Sequence, residues 1–222
     1  MKLGERKFVF IFSLLFLSGT LAFAQDYEEK SKESDELTME AYRILDHYPD
    51  AVVEYDYEDG ELNKVVIQGV EKQTDQDRLE EILGNLFIVR KELKNQKDKN
   101  LVYFNPEEEA EPAKGYQEFY DVLRNNLTYP EEAEDTGVEG YVFVKFIVSP
   151  TGEITNINST NNLEGGNENL KNDLVDQAVQ AVKETSGNWE PGEIDDVAVP
   201  SWVLVPIRFN WELNPTLPAP IG

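Results

Sequence analysis

The sequence predicts an α+β protein of two small lobes behind a hydrophobic leader. Three observations carry that expectation. Apolar residues recur at helical spacing in four stretches: 37–45, 74–93, 116–127 and 170–184. Strict alternation over Ala51–Glu58 and Tyr141–Val148, each followed by a tight-turn signal, predicts two hairpins. Both halves also run helix, Tyr-Pro, hairpin, helix, strand, with Tyr48-Pro49 echoing Tyr129-Pro130. That order suggests a degenerate duplication.

Composition narrows the function classes. The chain has 222 residues, with 20 Lys plus Arg against 44 Asp plus Glu, for a formal net charge of −24. Such a surface repels a polyanion, so nucleic-acid binding and direct association with an anionic membrane face are disfavoured. Any membrane association would be indirect. Solubility explains the acidity more simply than an acid-specific activity. With no cysteine, the chain has no disulfide, thiolate metal site or cysteine nucleophile, and no cysteine to carry a lipid anchor.

Residues 1–24 have the three parts of a secretory signal. Lys2, Arg6 and Lys7 are basic, Phe8–Leu17 is apolar, and Ala22-Phe23-Ala24 is a small-x-small cleavage site. Cleavage would leave Gln25 first. A full bilayer span needs about twenty apolar residues, whereas this run is broken at Ser18-Gly19-Thr20. Export to the periplasm is therefore expected, with an uncleaved anchor as the alternative. Residues 25–36 are strongly charged and read as a flexible leader.

The first lobe is expected over 37–104. Val53, Tyr55 and Tyr57 share one side of the first strand, Asp59-Gly60 signals a type I′ turn, and 64–70 returns. Thr74 is placed to cap a long helix carrying Leu79, Ile82, Leu83, Leu86, Val89 and Leu93. Leu101–Phe104 closes the lobe as a short strand. The acidic group Asp56, Glu58, Asp59 and Glu61 fails the EF-hand register, because Tyr55 and Tyr57 fall where oxygen ligands are needed. His47, the only histidine, cannot by itself assemble a zinc site or a catalytic triad. It fits the C-terminal end of the first helix. Residues 105–115 hold two prolines and four glutamates and read as a solvated linker.

In the second lobe, expected over 116–211, Tyr129-Pro130 stops a helix. Val142, Val144, Phe146 and Val148 alternate on one face of a strand. Ser149-Pro-Thr-Gly152 turns the chain into 153–158, an Asn/Gly-rich loop leads to the last helix, and Val199–Trp211 is the final strand. Pro206 inside that strand cannot donate to a ladder on the side its nitrogen faces, which places the strand at a sheet edge. Residues 212–222 are a proline-rich tail.

The ordered set Tyr129-Pro130, Ala133, Gly137-x-x-Gly140-x-Val142-x-Val144-x-Phe146-x-Val148, Gly152-x-Ile154, Asp176-x-Ala178, Trp189-x-Pro191-Gly192, Val199, Pro206-Ile207 and Phe209 resembles the TonB C-terminal domain family. The resemblance covers about 116–211. It implies a three-stranded antiparallel sheet packed on helices. It also implies a non-enzymatic periplasmic module that binds an outer-membrane TonB-dependent transporter, or another envelope protein, in support of transport across that membrane. An extended partner segment would add along the exposed edge, which could also support a homodimer. By position, Tyr129, Pro130, Trp202, Leu204, Arg208 and Asn210 would be the partner-binding residues. No cofactor or metal is implied.

Departures from the family pattern shape the reading. The leader has no histidine, a folded lobe replaces a long spacer, and Asp196 stands where the family usually has glycine. These features point away from a motor-coupled transducer, which remains the alternative if the leader stays uncleaved. A hydrolase using paired carboxylates such as Glu131 and Glu132 is the remote alternative, because no nucleophile, base and orienting group accompany them.

Overall fold

The computed structural model describes residues 9–58, 61–94, 96–98 and 100–210, with side chains from Asp26 onward except those of Tyr57, Glu58, Glu61 and Glu134. Helix α1 (Val9–Leu45) is followed by the hairpin β1 (Val52–Glu58) and β2 (Glu61–Gln68), then by α2 (Gln73–Leu93). The second lobe contains β3 (Glu111–Pro112), α3 (Gly115–Asn126), α4 (Glu131–Asp135), β4 (Gly140–Val148), β5 (Ile154–Asn161) and α5 (Glu168–Lys183). It ends with β6 (Trp189–Glu190), β7 (Gly192–Ile194), β8 (Val197–Val199) and β9 (Ser201–Phe209). The α+β class and the three-stranded antiparallel sheet are both present, with strand order β5-β4-β9.

Local chemistry accounts for most of these elements. The buried residues of α2 are the six apolar residues of its helical stripe. Its start differs from expectation: Lys72 holds the cap position without a side-chain cap, and Thr74 lies inside the first turn. Asp75 instead gathers the Tyr48 hydroxyl at 2.8 Å and the Lys72 ammonium at 3.0 Å. Asn167 caps α5 by accepting from the backbone N–H groups of Asn169 and Leu170. His47 lies just past α1, its Nδ1 3.1 Å from the Arg43 carbonyl. At Gly152, with φ +77°, a Cβ would stand 2.3 Å from the Trp189 carbonyl oxygen. A side chain there is excluded by both torsion and contact. Asp195 and Asp196 adopt φ of 52° and 59° in the β7–β8 turn. Aspartate tolerates this left-handed pair, which explains a glycine preference at that position.

Three segments differ from the sequence expectation. Residues 26–36 are not a flexible leader: they continue α1, and Tyr27, Ser31, Ser34 and Thr38 form a buried stripe leading to Ala41 and Tyr42. The stripe has helical spacing but small polar residues, so hydropathy does not reveal it. Residues 105–115 are not a solvated linker. Ala110 is in the core, β3 pairs with β6, and the backbone of Glu108 exchanges hydrogen bonds with Glu193. Residues 101–104 do not form a strand within the first lobe. Tyr103 makes a parallel bridge to Ser201 of β9, and Leu101 is turned outward at φ 65°. The Asp59-Gly60 turn and the 212–222 tail lie outside the described residues.

Two cores share the central strand. On the inner face of the sheet, Val142, Val144, Phe146 and Val148 join Val205, Ile207 and Phe209 under α3 and α5. Trp189 is 4% exposed and meets Phe119 and Phe146 edge-on, each at 5.2 Å, while its indole N–H donates to Thr185. It is thus a core residue between helix and sheet. On the outer face, Tyr141 and Phe143 pack with Tyr42 of α1 and with the apolar stripe of α2. The strand read as one-sided is buried on both sides.

Candidate partner-binding edge

Strand β9 is an edge strand, as Pro206 implied. The Trp202 N–H donates outward to the Tyr103 carbonyl, and the Pro200 carbonyl accepts from the Tyr103 N–H. With a side-chain and hydrogen-bond period of two, the odd residues of β9 pair with β4, and Trp202, Leu204, Pro206 and Arg208 direct their backbone groups outward. Tyr103 covers the first of these positions. From Leu204 to Arg208 no backbone partner stands on the outer side among the described residues. Pro206 contributes only a carbonyl there.

The edge lies at the bottom of a slot of about 250 Å³. Asp35 and Tyr42 of α1 wall it on the outer-face side, and Tyr116 and Tyr120 of α3 on the inner-face side. Residues 104–111 close one end. The tyrosine rings of α3 lie 5.8 Å apart. Burial, with Glu111 and Glu109 nearby, pushes the Tyr116 hydroxyl up to about 12. Burial also raises the Tyr120 hydroxyl to about 12.

The sequence-derived candidates divide between two locations. Trp202, Leu204 and Arg208 share the outer face, and all three are engaged by the first lobe. The Trp202 indole donates to Asp98 at 3.3 Å, and its ring lies under the Lys145 ammonium at 5.4 Å. Leu204 packs into the cluster of Ala41 and Tyr42. The Arg208 guanidinium holds the Asp46 carboxylate at 2.5 Å and the Asp46 carbonyl at 3.0 Å. Tyr129 stands on the other side of the sheet, stacked on Phe209 at 6.4 Å with its hydroxyl donated to the Val138 carbonyl. Pro130, half-buried, starts α4 by accepting from Ala133. Asn210, also half-buried, follows β9 directly. Glu131 and Glu132 are exposed on α4.

Lys145 joins the lobes. Its ammonium reaches Asp35 at 2.5 Å and Ser31 at 3.4 Å, and lies over the Phe104 ring at 5.1 Å. Burial raises the Asp35 carboxyl above the usual range, while Lys145 and Arg90 oppose the rise. Asp35, Tyr116 and Tyr120 escape a reading based on strand position alone. The i, i+4 tyrosine pair was visible in the sequence, but its location beside β9 was not.

Residues 125–211 match the family model described as Gram-negative bacterial TonB protein C-terminal. The second lobe resembles a TonB C-terminal domain. The match spans less than half of the chain, and associates this lobe with TonB-linked transport and with a family of periplasmic, non-enzymatic binding modules. Two solution structures of the Helicobacter pylori TonB C-terminal domain are similar to it. The shorter fragment is 20% identical, covering 44% of this chain and 94% of its own, with a TM-score of 0.32. A longer fragment is 19% identical, covering 42% and 78%, with a TM-score of 0.31. No curated protein matches the chain. The first lobe lies outside the TonB-like match, and no helix among the described residues is long and apolar enough to cross a membrane.

Proposed function

We propose that this chain is a periplasmic adaptor whose TonB-like lobe recognises an outer-membrane transporter, or another envelope protein, by accepting an extended segment along the outer side of β9. One observation carries the reading: Leu204 and Pro206 direct backbone groups into an open slot instead of into a fourth strand, and the unpaired edge continues past the slot to Arg208. Unpaired edge groups supply affinity without regard to sequence, and the slot walls supply selectivity. Trp202 and Leu204 would act chiefly by shaping the outer wall, and Arg208 by holding the first lobe against the edge strand through Asp46. Tyr129 and Pro130 would support the Phe209 end from beneath.

The test is capture of envelope proteins from an outer-membrane extract on the immobilised mature chain, with both lobes present. The whole mature chain is needed because a fragment starting in the 105–115 segment would bare Tyr141 and Phe143 and capture proteins non-specifically. We expect a transporter to be retained by the wild type and lost with Leu204→Pro, provided that circular dichroism shows the variant folded. Equal recovery on both matrices refutes edge recognition.

A further inference from the structure

We propose that the slot beside β9 selects an extended peptide segment carrying a basic side chain, which rests on the α3 tyrosines between Glu109 and Glu111. The inference rests on the edge-pairing reading above and adds the chemistry of the partner. The two walls of the slot have different charge characters. On the α1 side two cations line the slot, Lys145 and Arg90; both act on the Asp35 carboxylate, Lys145 at 2.5 Å. On the opposite rim Glu109 and Glu111 are exposed, and neither is paired with a cation among the described residues. Both stand close enough to Tyr116 to raise its hydroxyl pKa.

An aromatic floor under an acidic rim suits a cation. The faces of Tyr116 and Tyr120 offer the negative side of a ring quadrupole, and the carboxylates add ordinary attraction. A strand laid antiparallel or parallel to β9 projects alternate side chains toward each wall. One set meets Asp35 and Tyr42, and the other meets Tyr116 and Tyr120. A lysine or arginine on the second set would place its alkyl stem over the rings and its charge at the rim. A carboxylate on that set would meet two like charges. The bridge at Tyr103 limits the segment's length, because a strand longer than the stretch beside Leu204–Arg208 runs into residues 103–106.

The experiment measures fluorescence anisotropy of three dye-labelled pentapeptides against the full mature chain. The peptides alternate Thr and Val and differ only in carrying Lys, Gln or Glu at one central position. We expect the Lys peptide to bind about fivefold more tightly than the Gln peptide, and the Glu peptide more weakly than either. Added salt should narrow the spread. In the Glu109→Gln, Glu111→Gln double variant the three affinities should converge on that of the Gln peptide. Equal binding of all three by the wild type, or a lysine preference that survives in the double variant, overturns the basic-partner proposal and leaves edge pairing intact. Peptides N-methylated at alternate residues, made in both registers, test the underlying reading. If neither N-methylation pattern weakens binding, or if none of the parent peptides binds, edge pairing fails and the selectivity proposal with it.

Discussion

The inner face of the β5–β4–β9 sheet and its outer face bury comparable aromatic residues against unrelated walls. Beneath, Phe146 and Phe209 pack on helices of the same TonB-like lobe. Above, Tyr141 and Phe143 pack on α1 and α2, which come from the region before the TonB-like match. The inner wall belongs largely to the lobe that the family model matches, whereas the outer wall is built from residues before that match. A neighbouring lobe that covers one face also walls the adjacent edge.

The largest expected effect tests the inner face. Phe146→Ala removes a fully buried ring that touches Trp189, and should cost about 3–5 kcal/mol in urea unfolding. The TonB-like lobe should lose its near-ultraviolet circular dichroism. Phe143→Ala opens a similar cavity on the outer face, and its expected cost is about 3 kcal/mol. Its signature should differ, however. Limited proteolysis should release the first lobe and leave a protected fragment beginning near the 105–115 segment. If both variants unfold the chain as one unit, the two faces are not separable and the comparison fails.

Arg208→Ala leaves the Asp46 carboxylate without its cation, at an interface where the two side chains are 14% and 26% exposed. Partial exposure softens the penalty of a fully buried pair, and about 2 kcal/mol is expected from denaturant midpoints. A loss confined to proteolytic release of the first lobe would sharpen the distinction between faces.

Asp35 gives a pH-dependent test. Burial raises its folded-state pKa above its unfolded value, so the folded state binds its proton more readily. The Asp35 contribution to stability should therefore increase as pH falls through the raised folded value toward the ordinary aspartate pKa, and weaken as pH rises. The other carboxylates also respond to acid, so the readout is the difference between wild-type and Asp35→Asn unfolding profiles. A flat difference across that window would show that Lys145 fully offsets the burial. The smallest effect belongs to Tyr27→Phe. The Tyr27 hydroxyl is buried and has no hydrogen-bond partner among the described residues, so its removal should change stability by less than about 1 kcal/mol. A large loss in thermal unfolding would reveal a role for that hydroxyl in joining α1 to α2.

Where apolar periodicity and local stereochemistry agreed, the elements were legible. The α2 stripe, the alternating residues of β4 and the edge position implied by Pro206 follow from side-chain spacing and from a missing N–H. The opposite side of β4 was also written in the sequence as Tyr141, Phe143 and Lys145. Its burial could not be read there, because alternation shows that a strand has two faces and not what covers the second. The α1 stripe of Tyr27, Ser31, Ser34 and Thr38 escaped for the converse reason: small hydroxyl residues pack closely between helices without registering as hydrophobic.

The sequence by itself determined α3, α5, the β4–β5 hairpin and the edge strand of the TonB-like lobe, with its turns at Gly137 and Gly152, since each depends on interactions within a few residues. Tertiary structure alone decided that α1 and the 105–115 segment flank that edge. It also decided that Asp35, Lys145, Tyr116 and Glu109 meet beside it. Those residues are distant along the chain, and no local periodicity encodes contacts made only when two independently patterned lobes pack together.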